Sequence, residues 1–67
     1  MKENCFGDKL AALRTASGMT QRELGLRLNV SGQAVSKWES GRGMPDVLTL
    51  PEIASVFGVS IEYLLKP

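Results

Sequence analysis

The chain has 67 residues, 22% of them charged, a net charge of +1, one cysteine and no histidine. A chain this short makes one domain, residues 1–67 with its core in 6–65, and buries only about 60% of the surface that its unfolded form exposes. Cys5 alone, without histidine, supports neither a disulfide framework nor a multi-ligand zinc site; it reads as a tolerated thiol in a reducing compartment, and no apolar run suits a leader or a membrane span.

The charge is unevenly spread. Between positions 9 and 43, Lys9, Arg14, Arg22, Arg27, Lys37 and Arg42 stand against Glu23 and Glu39, whereas the segments on either side are net acidic. A positive field is expected over the middle of the chain.

Met1 to Cys5 carries no strong signal and reads as a frayed end. Phe6, Leu10 and Leu13 then recur at helical spacing, and Ala11, Ala12 and Ala16 favour the same state, so a first helix of about three turns is expected before Gly18 stops it. Arg14 lies one position from that stripe; its guanidinium should graze the core and needs a partner. Met19 sits where it can staple the next helix to the core.

The stretch from Thr20 to Glu39, TQRELGLRLNVSGQAVSKWE, organises the rest. Thr20 and Glu23 have the spacing of a capping box, which starts a second helix at Gln21. Leu24 and Leu28 share its inner face, and Gly25 leaves room for another helix to cross closely. Asn29 tolerates the left-handed conformation of a sharp corner, with Val30 plugging it from inside. Ser31 is a good N-cap for a third helix, in which Ala34, Val35 and Trp38 face inward and Gln33, Ser36, Lys37 and Ser40 face outward.

Ser40 to Asp46 reads as a loop, with Gly41 as a left-handed cap and Gly43 and Pro45 keeping the chain out of helix. Thr49-Leu50-Pro51-Glu52 reads as another capping box with proline in the first turn, so helix four is expected to start near Leu50. Ile53, Ala54 and Phe57 form its inner stripe, Gly58 ends it, and Ser60 caps a last short helix through Leu65. Val59, Ile61, Leu64 and Leu65 are expected to complete the core. The β-branched residues are scattered, so no strand is expected.

Two short helices joined by a tight corner make a helix-turn-helix, whose second helix is of the kind that enters a DNA major groove. The TQRELG, NVS and QAVSKWE runs resemble the phage lambda repressor and Cro family. LRTASGMTQ before them, and the Gly41 to Pro45 loop, IASVFGVS and IEYLL after them, extend the resemblance over roughly residues 7 to 65. It implies an all-α, compact five-helix lambda-repressor-like domain that binds double-stranded DNA sequence-specifically as a cytoplasmic transcriptional repressor or regulator. It further implies a homodimer on a palindromic operator, for which Ile61 and Tyr63 are candidate contacts, and an ion pair of Arg14 with Glu39. No cofactor, metal, small-molecule ligand or membrane is expected.

On this reading Gln33, Ser36 and Lys37 face the bases. The Gln33 carboxamide suits adenine, and Lys37 suits guanine or a phosphate. Gln21, Ser40, Gly41, Arg42 and Gly43 are expected at phosphates, through side chains, loop amides and the start of helix two. Two positions depart from the family pattern. Gly32 replaces a side chain expected to project toward the groove and reads as a tolerated loss in preference to the alternative, a glycine that lets the backbone approach DNA closely; Leu26 stands where relatives are polar. These two departures keep open a second reading, a protein-interaction module or antitoxin-like regulator with the same fold and weak DNA affinity. An enzyme is disfavoured, because no nucleophile–base pair, metal cluster or phosphate loop is evident.

Overall fold

A computed structural model describes residues 5–66, with the side chain of Cys5 outside the description. Five helices follow one another: α1 (Cys5–Ala16), α2 (Gln21–Leu28), α3 (Gly32–Ser40), α4 (Leu50–Phe57) and α5 (Ile61–Leu65). No strand occurs among the described residues. Of the expected frayed end, residues 1–4 lie outside the described residues, and Cys5 already belongs to α1.

Three helix starts obey one local rule. The Thr20 hydroxyl accepts the Glu23 N–H at 3.0 Å while the Glu23 carboxylate accepts the Thr20 N–H at 2.8 Å. Ser31 accepts the Ala34 N–H at 3.1 Å, and Ser60 accepts the Tyr63 N–H at 2.9 Å. All three cap residues are extended, with ψ of 167°, 158° and 157°, which turns the side-chain oxygen back over the first turn.

Thr49 breaks the pattern. Its ψ is −25°, already helical, and its side chain makes no cap bond. The N–H groups of Thr49 and Leu50 instead reach the Asp46 carbonyl at 2.9 and 3.3 Å. The chain is turning from Asp46 onward, so the capping box expected at Thr49 to Glu52 does not form, although Pro51 does sit in the first turn.

α2 ends at Asn29, the one described non-glycine residue with positive φ, at 62°. There the Val30 N–H returns to the Gly25 carbonyl at 2.8 Å, closing the last turn. The core consists of Phe6, Leu10, Leu24, Leu28, Val35, Trp38, Leu50, Ile53, Ala54 and Leu64. α2 and α3 pack together, α1 lies against α3, and α5 returns to α1.

The expected core contribution of the C-terminus is corrected at two positions. Leu64 is fully buried and Val59 packs against the core, but Ile61 and Leu65 are 38% and 49% exposed. A five-residue helix makes fewer than two turns and presents only one side inward. Lys9 secures its end, donating to the carbonyls of Tyr63 and Lys66 and standing 4.7 Å from the centre of the Tyr63 ring. These are carbonyls of the kind a helix C-terminus leaves unpaired. No helix among the described residues is long and apolar enough to cross a membrane.

Candidate nucleic-acid interface

Besides the apolar packing of Leu24, Leu28, Val35 and Trp38, α2 and the corner before α3 approach backbone to backbone. A Cβ placed on Gly25 would stand 2.6 Å from the Val30 carbonyl oxygen and 3.0 Å from the Ser31 carbonyl carbon. No side chain fits there unless the corner moves. One placed on Gly32 would stand 3.1 Å from Arg22 Cα and 3.3 Å from Arg22 N. A side chain at that position would start against the backbone of α2, which would have to give by a few tenths of an ångström, and glycine lets the first turns of the two helices meet.

With Val35 and Trp38 buried, α3 turns Gln33, Lys37 and Ser40 to solvent; Ser36, expected beside them, is half-buried. The helix has nine residues and is therefore about 13 Å long, suited to one stretch of groove.

A hydrogen-bonded clamp fixes this surface. Arg14 donates from Nε to Glu39 Oε2 at 2.6 Å and from Nη2 to Glu39 Oε1 at 3.1 Å, while its Nη1 reaches the Met19 carbonyl at 2.8 Å. The two side chains are only 17% and 9% exposed. The hydrogen bond to Glu39, aided by its charge and opposed by desolvation, raises the guanidinium above its ordinary value. A raised basic group contributes its full stabilisation below its unfolded value and loses it only as pH rises through the folded one, so the arginine side holds throughout the neutral and moderately alkaline range.

Gln21 joins the same clamp, donating its carboxamide to Glu39 Oε1 at 3.0 Å. The position expected to hold a phosphate is thus tied inward in the free domain, with one of its two amide hydrogens engaged. The other contacts sought in the loop also divide. The Gly41 N–H closes α3 onto the Lys37 and Trp38 carbonyls, so that amide is turned away from any ligand. The Gly43 N–H has no hydrogen bond among the described residues. Arg42 donates from Nε to Ser40 Oγ at 3.0 Å, and Ser40 in turn donates to the Lys37 carbonyl at 3.2 Å. Lys37 and Arg42 therefore make a positive corner at the C-terminal end of α3, where the helix dipole favours cations.

The remaining cations of the basic stretch separate by location. Lys9 serves α5 and Arg14 serves Glu39, whereas Arg22 and Arg27 are exposed and make no hydrogen bond or ion pair among the described residues. Arg27 lines an open cavity of about 360 Å³ with Gly18, Met19, Glu23 and Leu26, and Leu26 is 72% exposed. Arg22 abuts the first turn of α3. Periodicity along α2 places Arg22 on the exposed side but carries no signal of this juxtaposition, which the helix crossing creates.

Comparison with known proteins agrees with this geometry. Residues 10–64 match the helix-turn-helix family model. The HTH-type transcriptional activator BcrR of Enterococcus faecalis is 47% identical over 91% of this chain, which spans 30% of that protein. The uncharacterized HTH-type transcriptional regulator y4dJ of Sinorhizobium fredii is 43% identical over 91% of this chain and 79% of its own length. The P22 c2 repressor, solved in complex with synthetic operator 9T, superposes with a TM-score of 0.87 at 31% identity, covering 91% of this chain and 92% of that one.

Proposed function

The chain belongs to the helix-turn-helix family, and from that premise we propose that it binds double-stranded DNA to regulate transcription, with α3 seated in the major groove. The observation that carries this reading is the exposed surface of α3. Gln33 and Lys37 stand on a helix that follows the close corner at Gly25 and is tied to α1 by the Arg14–Glu39 clamp, so side chains suited to bases are carried on a rigid element and not on a loop. The operator complex of the P22 c2 repressor, similar over nearly all of this chain, supports the same use of the fold.

Gln33 presents the carboxamide suited to adenine, Lys37 addresses guanine or a phosphate, and Ser36 contributes from a half-buried position. Ser40, Arg42 and the Gly43 amide hold the DNA backbone beyond the end of α3, while Gly41 shapes the loop. Gln21 reaches a phosphate with its second amide hydrogen or by releasing Glu39. Two copies bind a palindromic operator, and the exposed Ile61, Tyr63 and Leu65 of α5 supply apolar surface for their contact. Such a protein acts in the cytoplasm as a binding module, without catalysis or cofactor.

Selection of bound duplex from a random pool tests this reading. A palindrome with half-sites about 10 base pairs apart is expected, bound with a steep salt dependence from counterion release. A pool without enrichment, and duplex affinity indifferent to salt, would favour a protein-interaction module built around the exposed Leu26.

A further inference from the structure

At the N-terminal end of α3, the residue that opens the helix proposed to face DNA has no side chain. Gly32 begins its first turn, and the Cβ it lacks would lie 3.1 Å from Arg22 Cα and 3.5 Å from Arg22 Cβ. The neighbour filling the edge of this turn is therefore Arg22, the second residue of α2, whose side chain leaves the backbone next to position 32. Arg22 is exposed, and neither a hydrogen bond nor an ion pair holds it among the described residues. The adjacent carboxylate does not compete for it, since Glu23 accepts the Thr20 N–H at 2.8 Å. Arg14 and Arg42, by contrast, are tied to Glu39 and Ser40.

We infer that Arg22 is a DNA phosphate contact, delivered from α2 past Gly32, the glycine that opens α3. In a helix-turn-helix the second helix occupies the groove while the first crosses the sugar–phosphate backbone, so a side chain rooted on α2 at the edge of α3 meets phosphate before it meets a base. A guanidinium matches phosphate with paired N–H donors, and the N-terminus of α2 adds a favourable dipole for the same anion. With glycine at 32, the side chain at this edge of α3 is the one rooted on α2. This inference rests on the DNA-binding reading above.

Arg27 provides an internal control. It carries the same charge on the same helix, five positions on and so about 140° around the axis, beside the Gly18–Met19 cavity instead of α3. The test measures affinity for the selected operator and for mixed-sequence duplex across a fourfold rise in salt, with wild type, Arg22→Ala, Arg22→Lys and Arg27→Ala. Arg22→Ala is expected to weaken both duplexes alike and to reduce the salt slope by about 0.9, so that the variant loses about 3.5-fold less affinity than wild type over that range. Arg22→Lys should keep the slope, Arg27→Ala should leave it near wild type, and all three variants should melt as wild type does.

Three results would overturn the inference while leaving the DNA-binding reading intact: an unchanged slope in Arg22→Ala, equal losses in Arg22→Ala and Arg27→Ala, or a loss confined to the operator. If wild type itself shows no salt-dependent duplex binding, the functional reading fails and the assignment of Arg22 falls with it.

Discussion

The corner between α2 and α3 and the connection between α3 and α4 look equally well signposted in sequence, yet they are built differently. Across the corner every polar side chain with a predicted local task performs it: Thr20 and Ser31 cap their helices, and Asn29 takes the left-handed turn at φ 62°. In the second connection Thr49 has the same spacing to Glu52 as Thr20 has to Glu23, but it is already helical and caps nothing. The connection also leaves Met44, Val47 and Leu48 exposed at 58%, 74% and 80%. A capping pattern works only where the residues before it are free to be extended. Before Thr49 the chain has begun to turn at Asp46.

The contrast is tested first where the corner is held hardest. Arg14→Met takes the guanidinium from the Glu39 carboxylate, which keeps its bond from Gln21, and Glu39→Gln removes the charge that Arg14 pairs with. Losing one partner costs about 3–5 kcal/mol in a fully buried pair and less where water reaches it, as it does in part here. In a domain of this size each kcal/mol lowers Tm by about 4–8 °C. Thermal unfolding of both variants should show the clamp as the main tie between α1 and α3; two unchanged midpoints would remove it from the account.

A smaller loss is expected from a single methyl group. Gly25→Ala forces the Val30 carbonyl away from a position 2.6 Å from the new atom, and overpacking of this kind costs about 1–3 kcal/mol. Gly43→Ala in the second connection meets only Lys37 Cβ at 3.9 Å and should stay within about 0.5 kcal/mol of wild type. Urea midpoints of the pair check the difference. If the two variants are equally stable, the corner yields more readily than its contacts imply.

The caps give the smallest effect and the sharpest comparison. Ser31→Ala should cost about 1 kcal/mol, because the Ala34 N–H loses its acceptor. Thr49→Ala removes no cap bond and should cost much less. Equal losses would mean that Thr49 caps α4 in solution.

What was legible follows the same division. Helix order, the inward set Leu24, Leu28, Val35 and Trp38, and the three working caps depend on residues within about four positions of one another, a range over which sequence spacing and geometry coincide. The uses of Gln21, Lys9 and Gly32 depend on Glu39, on the end of α5 and on Arg22. Those partners lie 18, 54 and 10 positions away, and no local pattern names them. Ile61 and Leu65 looked like core because they are apolar, but so short a helix has no second face to bury.

The central claim is that the outward face of α3 reads bases. The direct measurement compares wild type with Gln33→Ala on the selected operator and on mixed-sequence duplex at one salt concentration. The account predicts a loss of about 1–3 kcal/mol on the operator, almost none on mixed sequence and an unchanged Tm. Equal weakening on both duplexes, or no weakening on the operator, would contradict it.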